Sequence, residues 1–330
     1  MKIIDILTNA YNLNVSDVHI CGGESVKIRL DGSLGTFDNT IISEEELMEF
    51  FATYLSHEQL KKVEHGTEID MSIEIKNVAR FRVNIYHKLS GLAASLRTIK
   101  AQPPSPEEIS APPIFSKLIE EKKGLILVTG PTGCGKSTTL AALIDAINST
   151  KTGHIITIED PIEYIHTNKK CLVSQRELNT HTNSFTDALR AALREDPNYI
   201  LVGEMRDLET IRLALTAAET GHLVFATLHT MSAVKTIDRI IDSFPAVQQN
   251  QVRTMLSESL TAVIAQTLCK RKQGGRVPAF EILISTPAVR NLIREGKSHL
   301  IENCLQTGQA FGMQTMENSL KELENKGIIC

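Results

Sequence analysis

The segment Gly130-Pro-Thr-Gly-Cys-Gly-Lys-Ser137 fits the pattern Gly-x4-Gly-Lys-[Ser/Thr]. It follows an apolar run and opens a helical stretch, Ser137–Ile147, which is the context a phosphate-binding loop requires. Glycines at 130, 133 and 135 let the backbone curl until its N–H groups face a phosphate from several sides. The helix that follows turns its positive end toward the same anion. Lys136 supplies a point charge for the β- and γ-phosphates, and the Ser137 hydroxyl is a magnesium ligand. The nucleotide-binding stretch is therefore Gly130, Pro131, Thr132, Gly133, Cys134, Gly135, Lys136, Ser137 and Thr138.

Two further strand ends bring carboxylates. Ile200-Leu-Val-Gly-Glu204 is an apolar strand with an acid at its C-terminal end, where ligands bind in parallel sheets. Glu204 is placed to reach magnesium, through water. Ile156-Thr-Ile-Glu-Asp-Pro-Ile-Glu163 ends a second strand in Glu159 and Asp160, with Glu163 beyond. Water attacking a γ-phosphate needs a carboxylate to orient it and take its proton. The same residues also suit an acidic surface turn. Ser137, Glu159 and Glu204 make up the expected magnesium set.

His222 and His229 bracket the apolar run Leu223–Leu228. Seven residues of strand span about 23 Å, so the two do not form a metal pair. Either is a satisfied polar residue or a contact on the phosphate side. Arg80, Arg82 and Arg97 lie on alternating strands near the N-terminus, with Arg80 and Arg82 on one face. Such arginines either solvate a sheet face or act as fingers on a neighbouring subunit's nucleotide.

The elements that must position these residues fall into two sets. Ile3–Tyr11 reads as a short amphipathic helix, and Val26–Gly32 as a strand running into an Asp-Gly turn. Ser43–Glu64 has helical period, with Ser43 and Glu46 at capping-box spacing. Ile69–Ile75, Ala79–Tyr86 and Gly91–Ile99 alternate, as an antiparallel sheet with one wet face does. Residues 101–113 hold five of the chain's 11 prolines and read as a linker. Beyond it, the apolar runs Leu125–Thr129, Ile155–Ile158, Tyr199–Val202 and Leu223–Thr227 alternate with helical segments, the pattern of a covered parallel sheet. After Ser232 the chain reads as mostly helical.

A chain of 330 residues with 42% apolar content supports two cores and gives no sign of disorder. Its formal charge of −4 offers no net attraction to nucleic acid or anionic lipid. The six cysteines, none in a Cys-x-x-Cys pair, read as reduced thiols rather than disulfides or a zinc site. No signal peptide is expected at Met1–Leu7, and no membrane-spanning run of 18 apolar residues occurs.

These motifs together resemble the secretion-superfamily ATPases, and within them the PilT-like type IV pilus retraction branch. Gly130–Ser137 is similar to the family's Walker A segment, Ile158–Glu163 to its Asp box, Gly203–Asp207 to its Walker B and Thr220–Thr230 to its His box. Asn14–Ile20 resembles its N-terminal motif. The most discriminating segment is Ala288-Val-Arg-Asn-Leu-Ile-Arg-Glu295, which resembles the retraction signature with Val289 in place of Ile. Read bare, it is an amphipathic helix with Val289, Leu292 and Ile293 on one face and Arg290 and Arg294 on another. Ala288, Asn291 and Glu295 complete it. Neither a tetra-cysteine zinc insert nor an extra N-terminal domain is seen, which sets the expectation on the retraction side.

The resemblance implies an α/β fold: a PAS-like N-terminal domain over residues 1–100, the linker over 101–113, and a RecA-like P-loop domain over 114–330 with a helical C-terminal part. It implies that Glu163 is the catalytic base, that Glu204 supports magnesium, and that His222 and His229 sense nucleotide state. Arg82 and Arg97 become fingers acting in trans. Cys134 stands where relatives carry Ser, and its side chain is expected to point away from phosphate. ATP and Mg2+ are the expected cofactors. The expected assembly is a cytoplasmic homohexamer held at the inner membrane through a pilus platform protein, with no direct nucleic-acid contact. The alternatives are a pilus-assembly or type II or type IV secretion ATPase, and a nucleotide-gated scaffold with little turnover.

Overall fold

The computed structural model describes residues 2–13, 15–30, 32–99 and 102–330, without the side chain of Asp38. Asn14 of the N-terminal motif, Asp31 of the Asp-Gly turn and Ala101 at the head of the proline-rich segment lie outside the described residues. The chain divides into two units, residues 1–102 with 163–165, and residues 103–162 with 166–330.

The first unit runs α1 (Lys2–Asn12), β1 (Asp17–Cys21), β2 (Glu24–Leu30), β3 (Ser33–Ile42), α2 (Glu44–Ala52), α3 (His57–Glu64), β4 (Ile69–Ile75), β5 (Ala79–Lys88) and β6 (Gly91–Ile99). The strands form one sheet in the order β3-β2-β1-β6-β5-β4, and every pair is antiparallel. Period-2 alternation decides its faces. Phe81, Val83 and Ile85 of β5 are buried in a core with Leu47 and Phe51 of α2 and Val63 of α3. Arg80 and Arg82 point to the other face. Ser43–Glu64 is two helices rather than one, because a second capping box, Ser56 with Gln59, restarts the chain after Thr53.

The second unit begins with residues 103–113. Ile109 of this proline-rich stretch is 8% exposed and packs with Ile114 and Phe115. Then follow α4 (Ile114–Leu118), β7 (Gly124–Thr129), α5 (Lys136–Thr150), β8 (Gly153–Glu159), β9 (Cys171–Glu177), α6 (Phe185–Ala192), β10 (Tyr199–Val202), α7 (Leu208–Glu219), β11 (Leu223–Leu228), α8 (Ala233–Asp242), α9 (Ala246–Ser259), β12 (Leu260–Lys270), β13 (Arg276–Ile284), α10 (Pro287–Arg294), α11 (Ile301–Thr307) and α12 (Met316–Asn325). The sheet order is β13-β12-β7-β11-β10-β8-β9, parallel except for the β12–β13 pair. All six residues of β7 are buried. Leu125 and Leu127 face a core shared with α6 to α11, while Ile126 and Val128 face one shared with α4 and α5. Coverage on both faces is why the strand reads as a continuous apolar run.

After Ser232 helices predominate, as the sequence suggests, but β12 and β13 also add a long hairpin to the sheet that it does not. Ala262-Val-Ile-Ala265 within β12 is unbroken apolar sequence, and periodicity cannot separate a buried strand of that kind from a buried helix.

Candidate functional site

Register gathers the chemistry at one edge of the second sheet. Thr129, the last residue of β7, pairs with Leu228 of β11. Val202 of β10 pairs with both Ala226 of β11 and Ile158 of β8. The strands are parallel, so the loop after Thr129, Glu204 after β10, His229 after β11 and the Glu159–Asp160 turn after β8 all emerge on the same side. This is the edge where parallel sheets bind ligands. Gly203 makes the convergence possible. A Cβ there would lie 3.0 Å from the Ile158 carbonyl oxygen and 3.2 Å from the Glu159 Cα.

The loop itself is built as an anion cradle. Gly133 has φ of 78° with open space where its Cβ would stand. Gly135, at φ of 91°, is the N-cap of the 15-residue α5 and offers no side-chain cap to the helix N–H groups. Those donors are left for a ligand. Lys136 Nζ donates to the Gly130 carbonyl at 2.8 Å and to the Pro131 carbonyl at 3.1 Å, so its charge lies across the mouth of the loop. Cys134 is buried, and burial raises its thiol pKa above the usual value and keeps it neutral. The arrangement fits a polyphosphate. Among the described residues no group of three or more His, Cys, Asp or Glu side chains forms a metal cage. A hard cation here would depend on Ser137, the nearby carboxylates and phosphate oxygens, which is how Mg2+ is usually held.

Beside the loop, Glu204 accepts from Arg206 Nε at 2.7 Å and meets His229 Nε2 at 2.9 Å. Arg206 also reaches Asp160 at 3.3 Å. Glu204, Arg206 and His229 line a cavity of about 360 Å³ with Thr230 and Arg239. Glu159 accepts from the Thr157 hydroxyl at 2.6 Å and from Gln175 Nε2 at 3.2 Å.

His222 lies elsewhere. It precedes β11, so it sits at the opposite end of the strand from His229, with Nδ1 2.9 Å from the Ala217 carbonyl. Glu163 is exposed and follows the buried Ile162. In the first unit, Arg82 pairs with Asp70 at 2.6 Å and Arg97 with Asp17 at 2.8 Å. Arg82 and Arg97 stand opposite each other on β5 and β6. The Ala288–Glu295 segment forms α10 and its C-cap, with Thr286 as N-cap. Val289 and Ile293 are fully buried and Leu292 partly so, while Ala288, Arg290, Asn291, Arg294 and Glu295 are exposed.

Two residues at this edge carry no role in the sequence reading. Arg206 joins Glu204 to Asp160, and its place two residues after Glu204 is the only signal for it. Glu177, at the end of β9, is 1% exposed. Its carboxylate accepts the Ile162 N–H at 3.1 Å and the Thr180 hydroxyl at 3.1 Å, which ties down the residue next to Glu163. Nothing local in the sequence marks that acid as buried.

The model of the type II/IV secretion system protein family matches residues 1–325. The Pseudomonas aeruginosa type IV pilus retraction ATPase PilT is 51% identical over 329 residues, covering 100% of this chain and 96% of that protein. A twitching motility protein of Neisseria gonorrhoeae is 57% identical over 303 residues, covering 92% of this chain and 81% of that one. The crystal structure of the pilus retraction motor PilT with bound ADP matches with a TM-score of 0.92 at 46% identity, over 100% of this chain and 95% of that one.

Proposed function

Because the chain belongs to the type II/IV secretion system protein family, we propose that it is an ATP-hydrolysing motor that drives type IV pilus retraction. The observation that carries this reading is full-length likeness to a retraction motor with bound ADP, over a loop shaped for polyphosphate.

In this reading the backbone N–H groups of Gly130–Ser137 and the positive end of α5 hold the β- and γ-phosphates, and Lys136 leaves its two carbonyl partners to face them. Mg2+, when bound, neutralises charge on the phosphate oxygens. Ser137 would hold it, with Glu204 and Glu159 as the supporting carboxylates. Glu163 orients the attacking water and accepts its proton. His229 reports on Glu204 through their contact. His222 stands at the far end of the same strand, away from the loop. The working assembly is a cytoplasmic homohexamer docked on an inner-membrane pilus platform protein, without direct contact to nucleic acid. Among the described residues, no helix is long and apolar enough to cross a membrane.

Steady-state phosphate release tests the enzymatic part. Wild type hydrolyses ATP in a magnesium-dependent way, and Lys136→Ala is reduced by well over tenfold. Tenfold corresponds to about 1.4 kcal/mol, less than a charge contact to phosphate contributes. Hydrolysis by Lys136→Ala within tenfold of wild type would sink the phosphate-loop assignment.

A further inference from the structure

The phosphate loop does not stand alone on β7. Its other neighbour is β12, where Ala265 pairs with Thr129 at the point the loop begins. The next residue on β12, Gln266, is a polar side chain only 2% exposed. Its Nε2 donates to the Cys134 carbonyl at 2.6 Å. Its Oε1 is buried with no hydrogen-bond partner among the described residues. The reverse amide orientation would set two acceptors against each other, so the bond to Cys134 dictates which way the amide faces.

The loop glycines are shaped around this residue. A Cβ on Gly130 would lie 2.4 Å from the Gln266 carbonyl oxygen, and one on Gly135 would lie 3.3 Å from Gln266 Nε2. Gly130 therefore makes room for the backbone of Gln266, and Gly135 for its side chain.

We propose that Gln266 is a positioning residue of the phosphate loop, holding the Cys134 carbonyl turned away from the anion so that the Gly135 N–H points toward it. The peptide plane supplies the lever. In a trans peptide the C=O and the following N–H point in opposite directions, so fixing one aims the other. A carbonyl turned into the loop would repel phosphate oxygens, whereas an N–H attracts them. The unpartnered Oε1 fits this role, because the residue is held in place for what its nitrogen does, at the cost of a buried acceptor. The inference rests on the reading of Gly130–Ser137 as a phosphate loop.

The test is MgADP affinity by titration calorimetry at pH 6 and pH 9, with each variant expressed as a ratio to wild type at the same pH. Gln266→Leu keeps the volume and removes the donor, and it should weaken binding about tenfold at both pH values. Gln266→Glu distinguishes positioning from mere packing. A buried carboxyl is protonated more readily than an exposed one and, when protonated, can donate to Cys134. Its loss should be large at pH 9 and shrink at pH 6. Lys136→Ala, the reference, should bind poorly throughout. Gln266→Leu within twofold of wild type, or a Gln266→Glu loss equal at both pH values, overturns the proposal. If Gln266→Leu fails to fold by circular dichroism, the Gln266→Glu ratio decides alone. Normal binding by Lys136→Ala would overturn the phosphate-loop reading, and the brace with it. Weak binding by Lys136→Ala beside normal Gln266→Leu removes only the brace.

Discussion

Glu163 and Glu204 are both acids of the sequence motifs, yet their surroundings differ. Glu204 is held between Arg206 and His229. Glu163 is exposed, beside an Ile162 amide anchored on Glu177. Glu163→Gln is therefore expected to bind MgATP but lose turnover by at least about a hundredfold, the usual size of a general-base contribution. Glu204→Gln should in addition raise the magnesium concentration needed for half-maximal rate. Normal hydrolysis by Glu163→Gln would move the base elsewhere. His166 gives a prediction about stability. Burial lowers its pKa to about 4; Asp145 opposes the shift and Lys169 adds to it. The unfolded chain therefore binds a proton between about pH 6.5 and 4 that the folded one refuses, so stability falls as pH drops through that window. In urea unfolding, His166→Gln should flatten this fall by up to about 3 kcal/mol. An unchanged pH slope would show that His166 is not its source. The loop at Gly130–Ser137 was legible from sequence because all its parts are contiguous. Glu177, Arg206 and Gln266 were not, since what matters in each is a partner brought in by register from another strand.

At the scale of elements, α10 separates packing from function. Ile293 is fully buried, so Ile293→Ala should cost about 2–5 kcal/mol of stability. Arg294 on the same helix is exposed, and Arg294→Ala should change stability by less than about 1 kcal/mol. If the Ala288–Glu295 segment is needed for retraction, Arg294→Ala should nonetheless impair twitching. A normally stable Arg294→Ala that twitches normally would reduce α10 to a packing element. The amphipathic reading of this helix came from a clear 3.6-residue period, and strands β8, β10 and β11 from short apolar runs between turns. The β12–β13 hairpin is not legible in the sequence because a strand buried on both faces loses its alternation. The break between α2 and α3 was missed because Ser56 and Gln59 look like ordinary surface residues of a continuing helix. Both errors arise where tertiary burial or a local cap overrides the pattern along the chain.

For the whole molecule the open question is cooperation between subunits. Arg82 and Arg97 are paired with Asp70 and Asp17 of their own sheet, and Arg97 is 67% exposed. The Arg82–Asp70 pair is exposed on both sides and contributes only about 0–1 kcal/mol, so exchanging its carboxylate for a neighbouring subunit's phosphate is cheap. The Asp17 side chain is 13% exposed, so releasing Arg97 leaves a largely buried carboxylate behind and costs more. Subunits carrying Arg82→Ala and Arg97→Ala should be inactive alone, as should subunits carrying Lys136→Ala. Mixed rings should regain hydrolysis, because a Lys136→Ala subunit lends intact arginines to the intact loop next to it. Trans fingers of this sort raise rates by roughly 10³–10⁵. No recovery in mixed hexamers confirmed by mass would count against action in trans. The central claim, that hydrolysis by this chain withdraws pili, is tested most directly by deleting its gene and counting surface pili alongside twitching. The deletion strain should be hyperpiliated and immobile, restored by the wild-type gene but not by Lys136→Ala. Loss of pili on deletion, or full rescue by Lys136→Ala, would contradict it.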